Sequence, residues 1–171
     1  MKTMERASTT MRSGRRIAGR AQSDHIIDPY QMRRKPKEPT ACPQCGAVYH
    51  RGRWQWGAKP DGAHEMPCPA CSRIADRMPA GIVTIHGDYA KQRAEEIIGL
   101  MRNEERAEAS EHPLNRIIDI AETDAGLTVN TTDIHLPRRL GEALQRAHHG
   151  NLDMHFDEDG YFVRVDWHPP G

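Results

Sequence analysis

The chain has 171 residues, with 24 Lys+Arg against 24 Asp+Glu and a formal net charge of zero. That zero sums two unlike parts: residues 1–60 hold 13 bases and 4 acids, a net of +9, and residues 61–171 hold 11 bases and 20 acids, a net of −9. A hydrophobic content of 37% and a mean hydropathy of −0.78 are too low for one core running through the whole chain, and no run reaches the ~18 apolar residues of a membrane span.

Residues 1–39 read as a flexible basic arm carrying Arg12, Arg15, Arg16, Arg20, Arg33, Arg34, Lys35 and Lys37. Few large apolar side chains interrupt it, so it has little to bury, and its charge suits a polyanion. Met1 to Gln22 holds Arg, Ser and Thr without an apolar stretch. That pattern speaks against a secretory leader, with a mitochondrial presequence as the alternative. The expectation is a cytoplasmic protein in a reducing compartment, where disulfides are disfavoured.

Residues 40–79 form a cysteine module between Pro39 and Pro79. Cys42-Pro-Gln-Cys45 and Cys68-Pro-Ala-Cys71 are two C-x2-C pairs separated by a 22-residue insert. Two residues between thiolates allow a tight turn that aims both sulfurs at one ion, and two such knuckles complete a four-cysteine zinc site. Gly46 lets the backbone turn back with its amides facing sulfur. The alternatives are two disulfides, a redox pair, or His50 or His64 replacing one cysteine. Four thiolates leave no open position for water, so the expected zinc is structural, and in so small a zinc ribbon it would supply most of the folding free energy. Within the insert, Arg51, Arg53 and Lys59 interleave with Tyr49, Trp54 and Trp56. Trp faces stack on unpaired bases and Arg pairs with phosphate, which predicts an RNA-binding surface. The competing reading puts the two Trp residues in a small core over the zinc knuckles.

Residues 80–171 read as a folded α+β domain. Gly81–His86 is a β-rich run. Asp88 can cap a helix whose apolar face is Ala90, Ala94, Ile97, Ile98 and Met101, ending before Pro113. Residues 116–122 and 127–131 are strands joined by a turn at 123–126. Asp133 or Thr132 precedes a second helix near Pro137 with Leu136, Leu140, Ala143, Leu144 and Ala147 on one face, and Gly150 is placed to close it. Leu152, Met154 and Phe156 alternate, as do Tyr161, Val163, Val165 and Trp167 after an acidic turn. The order β-α-β-β-α-β with an extra C-terminal strand predicts a ferredoxin-like antiparallel sheet with both helices on one face.

Nucleotide-binding and hydrolase signatures such as G-x-x-x-x-G-K-[ST], G-x-G-x-x-G and G-x-S-x-G are absent, and the expectation is a protein that is not an enzyme. His135, His148, His149 and His155 read as solvated, as do Glu104, Glu105 and Glu108 on the first helix.

The segments Glu38–His50, Cys68–Cys71, Gly81–Tyr89, Arg102–Glu105 and His112–Ile117 together resemble an uncharacterised bacterial zinc-ribbon family. That family in turn is similar to the N-terminal region of the archaeal and eukaryotic large-ribosomal-subunit export adaptor. The resemblance covers residues 38–122. It implies a ribosome-associated or RNA-binding protein with Cys42, Cys45, Cys68 and Cys71 as metal-binding residues. The adaptor carries more C-x2-C pairs than the two here, so association with RNA carries over and export does not. A second reading is a protein–protein adaptor whose ferredoxin-like body dimerises through a sheet edge, with the basic arm serving an acidic partner.

Overall fold

The structure, a computed structural model, describes Tyr30 and residues 35–171. Arg12, Arg15, Arg16, Arg20, Arg33 and Arg34 of the basic arm lie outside the described residues. The cysteine module starts with four short strands: β1 (Thr40–Ala41), β2 (Val48–His50), β3 (Arg53–Gln55) and β4 (His64–Glu65), followed by helix α1 (Pro69–Asp76). They form a sheet of order β3-β2-β1-β4, in which β1 is antiparallel to β2 and parallel to β4.

The larger part comprises β5 (Gly81–His86), α2 (Asp88–Gln92), α3 (Ala94–Glu111), β6 (Ile117–Thr123), β7 (Gly126–Thr131), α4 (Leu136–His148), β8 (Asn151–Phe156) and β9 (Val163–His168). The chain order of strands and helices is the expected one. The sheet departs from it. Its order is β6-β7-β5-β9-β8, with β9 parallel to β5, so the sheet is mixed and not antiparallel throughout, and the last strand lies inside it. The reason is apolar content. Val163, Val165 and Trp167 of β9 are fully buried, whereas Leu152, Met154 and Phe156 of β8 are half-buried or exposed. The strand with the more apolar inner face takes the central place, and β8 is left at the edge.

The helices cover one face of this sheet. Val83 and Ile85 of β5, Leu127 and Val129 of β7, and the β9 residues pack against Ala90, Ile97, Met101, Leu136, Leu140 and Leu144. The other face carries Thr84, His86, Asn130, Asp153, Arg164 and Asp166, none of them fully buried. No helix of the described residues is long and apolar enough to cross a membrane.

Three local expectations are corrected. The first helix is broken at Arg93, whose ψ of 28° leaves the helical range. Ala90 can then seat on the sheet before the break, and Ile97 and Met101 beyond it. Asp88 is its first residue and makes no capping bond. On α4, His148 and not Ala147 is buried. Its Nδ1 is 2.8 Å from the Tyr89 hydroxyl, and its ring meets Trp167 edge-on. Glu104, Glu105 and Glu108 are not solvated. Arg139 of α4 donates to Glu104 at 2.7 Å and to Glu108 at 2.8 Å, and Glu105 accepts from the Ile117 amide. Packing of α3 on α4 brings the Arg139 guanidinium across to these carboxylates.

Two turn positions constrain the sheet. Gly126 has φ of +144°, and a Cβ there would lie 2.0 Å from the Ile85 carbonyl oxygen. Gly126→Ala should therefore cost more than about 2 kcal/mol, read as a lower urea midpoint at unchanged m-value. Asp133 caps α4 by accepting from the amides of His135 at 2.7 Å and Leu136 at 3.1 Å. Burial nonetheless pushes its carboxyl up to about 6, because these amide bonds only partly offset the desolvation. The folded state thus holds a proton that the unfolded chain has already lost between pH 4 and 6. The stability from this group is present below pH 4 and lost as pH rises to 6. Asp133→Asn keeps the acceptor without the charge. It should remove that slope and stabilise the protein at pH 7 by about 1–2 kcal/mol in chemical denaturation, a figure reduced for partial solvent screening.

Candidate metal centre

Each half of the cysteine set is positioned by a different device. The first pair sits on the β1–β2 connection. The Cys42 amide donates to the Ala47 carbonyl at 2.8 Å, and the Gly46 amide to the Cys42 carbonyl at 2.9 Å. Gly46 has φ of +86°, which a residue with a Cβ adopts at a cost. The second pair is not a matching knuckle. Cys68 is the N-cap of α1, Pro69 follows at the first helical position, and the Cys71 amide donates to Cys68 Sγ at 3.4 Å. Proline at that position suits a helix start, so the second C-x2-C begins a helix where the first makes a turn. The helix N-terminus also places positive dipole near both sulfurs.

The four sulfurs of Cys42, Cys45, Cys68 and Cys71 lie within 4.8 Å of one another. Cys45 Sγ and Cys68 Sγ are 3.8 Å apart. Sulfurs at ~2.3 Å from a central ion form a tetrahedron with edges of ~3.8 Å, so the donor set fits a four-coordinate, thiolate-preferring ion. No cysteine is in a disulfide. His50 and His64 lie outside the cluster.

The sulfurs do not ionise alike by themselves. Burial pushes the Cys42 thiol up, but amide and side-chain hydrogen bonds outweigh it and bring it down to about 7. Cys68 is driven above the ordinary thiol range by burial and by the three sulfurs around it. Burial raises Cys71 as well, against the pull of Arg116. A bound dication would supply the positive charge this cluster calls for.

Arg116 is the member of the cysteine site that the sequence conceals. Lying just before β6, 45 residues beyond Cys71, it has no spacing that ties it to the cysteines. Its Nη2 donates to Cys68 Sγ at 3.3 Å and to Cys71 Sγ at 3.2 Å. Its buried Nε has no hydrogen-bond partner among the described residues, and the two sulfurs are the acceptors for its Nη2. Leu114 packs on the same cluster.

The residues read as a nucleic-acid surface separate into two sets. Trp54 is 8% exposed and packs with Cys42, Ala47, Tyr49, Cys68 and Ala70. It meets Tyr49 edge-on at 5.5 Å. Its place is therefore the core of the cysteine module, and its face is not offered for stacking. Trp56 is 40% exposed, and its indole N–H donates to the Ala109 carbonyl on α3. Arg51 and Arg53 are exposed around the β2–β3 turn. The amides of Arg51 and Gly52 at its tip donate to the Glu38 carboxylate at 3.0 and 3.1 Å. Lys59 is paired with Glu65. Lys35 and Lys37 are exposed at the start of the ribbon.

Arg116→Met removes the cation while preserving most of the side-chain volume. It should weaken metal affinity ten- to a hundredfold in competition with a chromophoric chelator, with Arg116→Lys intermediate.

Set against family models, curated proteins and solved structures, the chain matches none.

Proposed function

We propose that the chain is a non-enzymatic, zinc-binding protein that associates with RNA, ribosomal RNA or the ribosome first among them. The observation that carries the metal part is the sulfur tetrahedron, in which every corner comes from the chain itself. With all four positions taken by thiolate, the ion has no place for water or substrate, so its role is to hold the ribbon. Zinc is the ion chosen by four thiolates in tetrahedral array without redox chemistry.

The RNA part rests on charge and exposure. Arg51 and Arg53 stand at the tip of the β2–β3 hairpin, Trp56 shows part of its ring nearby, and Lys35 and Lys37 lead into the ribbon. Arg supplies paired donors to phosphate, and Trp56 supplies the stacking face. Trp54 serves this surface from behind as the packing that keeps the hairpin in place. The arm, with Arg12, Arg15, Arg16, Arg20, Arg33 and Arg34, would add phosphate-neutralising charge of its own. The resemblance of residues 38–122 to ribosome-associated ribbons is what selects the ribosome among RNAs.

Metal analysis and cosedimentation with ribosomal subunits test both parts on one sample. One zinc per chain is expected, with none in Cys68→Ser and no iron. Binding to subunits should fall steeply between low and high salt. Arg51→Glu with Arg53→Glu should weaken it by about 2 kcal/mol or more while leaving zinc content intact. Iron in place of zinc would sink the metal reading, and binding indifferent to salt would sink the RNA reading.

A further inference from the structure

The five-stranded sheet ends in two unlike edges. The β6 edge is blunted: its register shifts between Ile117 and Asp119, and Asp119 is engaged by Arg77 and Asn130. Among the described residues the β8 edge has no such protection. It pairs with β9 over six regular positions, from Asn151 opposite His168 to Phe156 opposite Val163. It contains no proline and no bulge, and Phe156 at its end is 55% exposed. An unprotected edge strand with an apolar inner face is a template for another strand.

The direction of its free backbone groups follows from the ladder. The Asp157 amide donates to the Phe162 carbonyl, continuing the pairing beyond Phe156. Backbone groups alternate along a strand, so those of Asp153 and His155 face β9. Those of Leu152, Met154 and Phe156 point away from the sheet.

The sequence of this edge is self-complementary. In an antiparallel pairing of β8 with itself centred on Met154, the outward amides and carbonyls of Met154 meet those of the partner's Met154. Leu152 then faces the partner's Phe156 on the helix side of the sheet. Asp153 faces the partner's His155 on the open side, and the twofold axis repeats both contacts. A slip to the next allowed register sets Asp153 against the partner's Asp153, two like charges directly opposed. A slip by a single residue would set apolar side chains against polar ones across the sheet. One register therefore satisfies backbone, apolar and charged groups together.

We propose that a second copy of this chain pairs along β8 in that register, joining two five-stranded sheets into one of ten strands. The contact is small, a single six-residue strand and the apolar groups behind it, so its dissociation constant falls in the micromolar range. Leu152, Met154 and Phe156 cover one another in the dimer, which accounts for an exposed phenylalanine at the end of this edge strand. The pairing uses neither the cysteines nor the basic residues and stands apart from metal and RNA binding.

Sedimentation velocity on nuclease-treated, zinc-loaded full chain, from about 1 to about 100 µM, should show a monomer–dimer equilibrium. Met154→Lys places two ammonium groups face to face and should leave the chain monomeric throughout. Asp153→Lys and His155→Asp should each weaken the dimer about tenfold, because the twofold axis counts each change twice. The double variant Asp153→Lys/His155→Asp sets Lys against Asp in this register alone, and should return the dissociation constant to within about threefold of the parent. Both positions are exposed and outside the core, and circular dichroism should confirm an unchanged fold. A chain monomeric at every concentration would overturn the proposal. So would a dimer indifferent to Met154→Lys, which would place the interface or the strand's occupant elsewhere, or a double variant no tighter than the singles.

Discussion

Four sulfurs held within 4.8 Å of one another are the constraint on which the rest of this structure depends. Thiolates at that distance repel, and burial together with the neighbouring sulfurs raises the thiols of Cys68 and Cys71. Everything around it reduces that charge. Amides of Cys68 and Cys71 point at sulfur, a helix begins at Cys68, and the Arg116 guanidinium closes the cluster from the side of the larger sheet. Besides the cysteines, Ala47, Tyr49, Trp54 and Ala70 make up the small apolar cluster of the cysteine module. An ion joining the two cysteine-bearing segments would contribute what so few apolar contacts cannot.

The same arrangement ties the ribbon to the α+β part. Arg116 and Leu114 reach the cysteine cluster from the segment between α3 and β6, and Trp56 reaches back to Ala109 on α3. Arg34–Gly171 is accordingly one compact unit, although composition suggests a module boundary near Pro79. The acidic side chains of α3 are similarly employed: Glu104 and Glu108 hold Arg139, and Glu105 holds the start of β6. Much of the negative charge of this part serves internal pairing.

Elements with strong local signals were legible. The alternation in β5, β7 and β9, the apolar faces of α3 and α4, the Asp133 cap and the turn at Gly126 all follow from short-range periodicity and backbone preference. So does the cysteine set, because C-x2-C spacing constrains sulfur positions whatever surrounds it. Burial of Trp54 against exposure of Trp56 was not legible. Two residues apart on one hairpin, they lie on the same side of an ideal strand, and only the end of β3 at Gln55 separates their environments. His148 was also hidden: adjacent histidines at a helix end look solvated until Tyr89 and Trp167 are seen to enclose one of them.

By itself the sequence determined the charge division, the two closely spaced cysteine pairs and the succession of strands and helices, since each depends on residues close together in the chain. Only the tertiary structure decided that β9 enters between β5 and β8, that the second cysteine pair opens a helix, and that Arg116 faces the sulfurs. Strand order is settled by competition for the most buried place in the sheet, which compares segments far apart. The guanidinium lies against thiolates 45 and 48 residues away in sequence because the fold of the sheet brings β6 there, and no local pattern encodes that proximity.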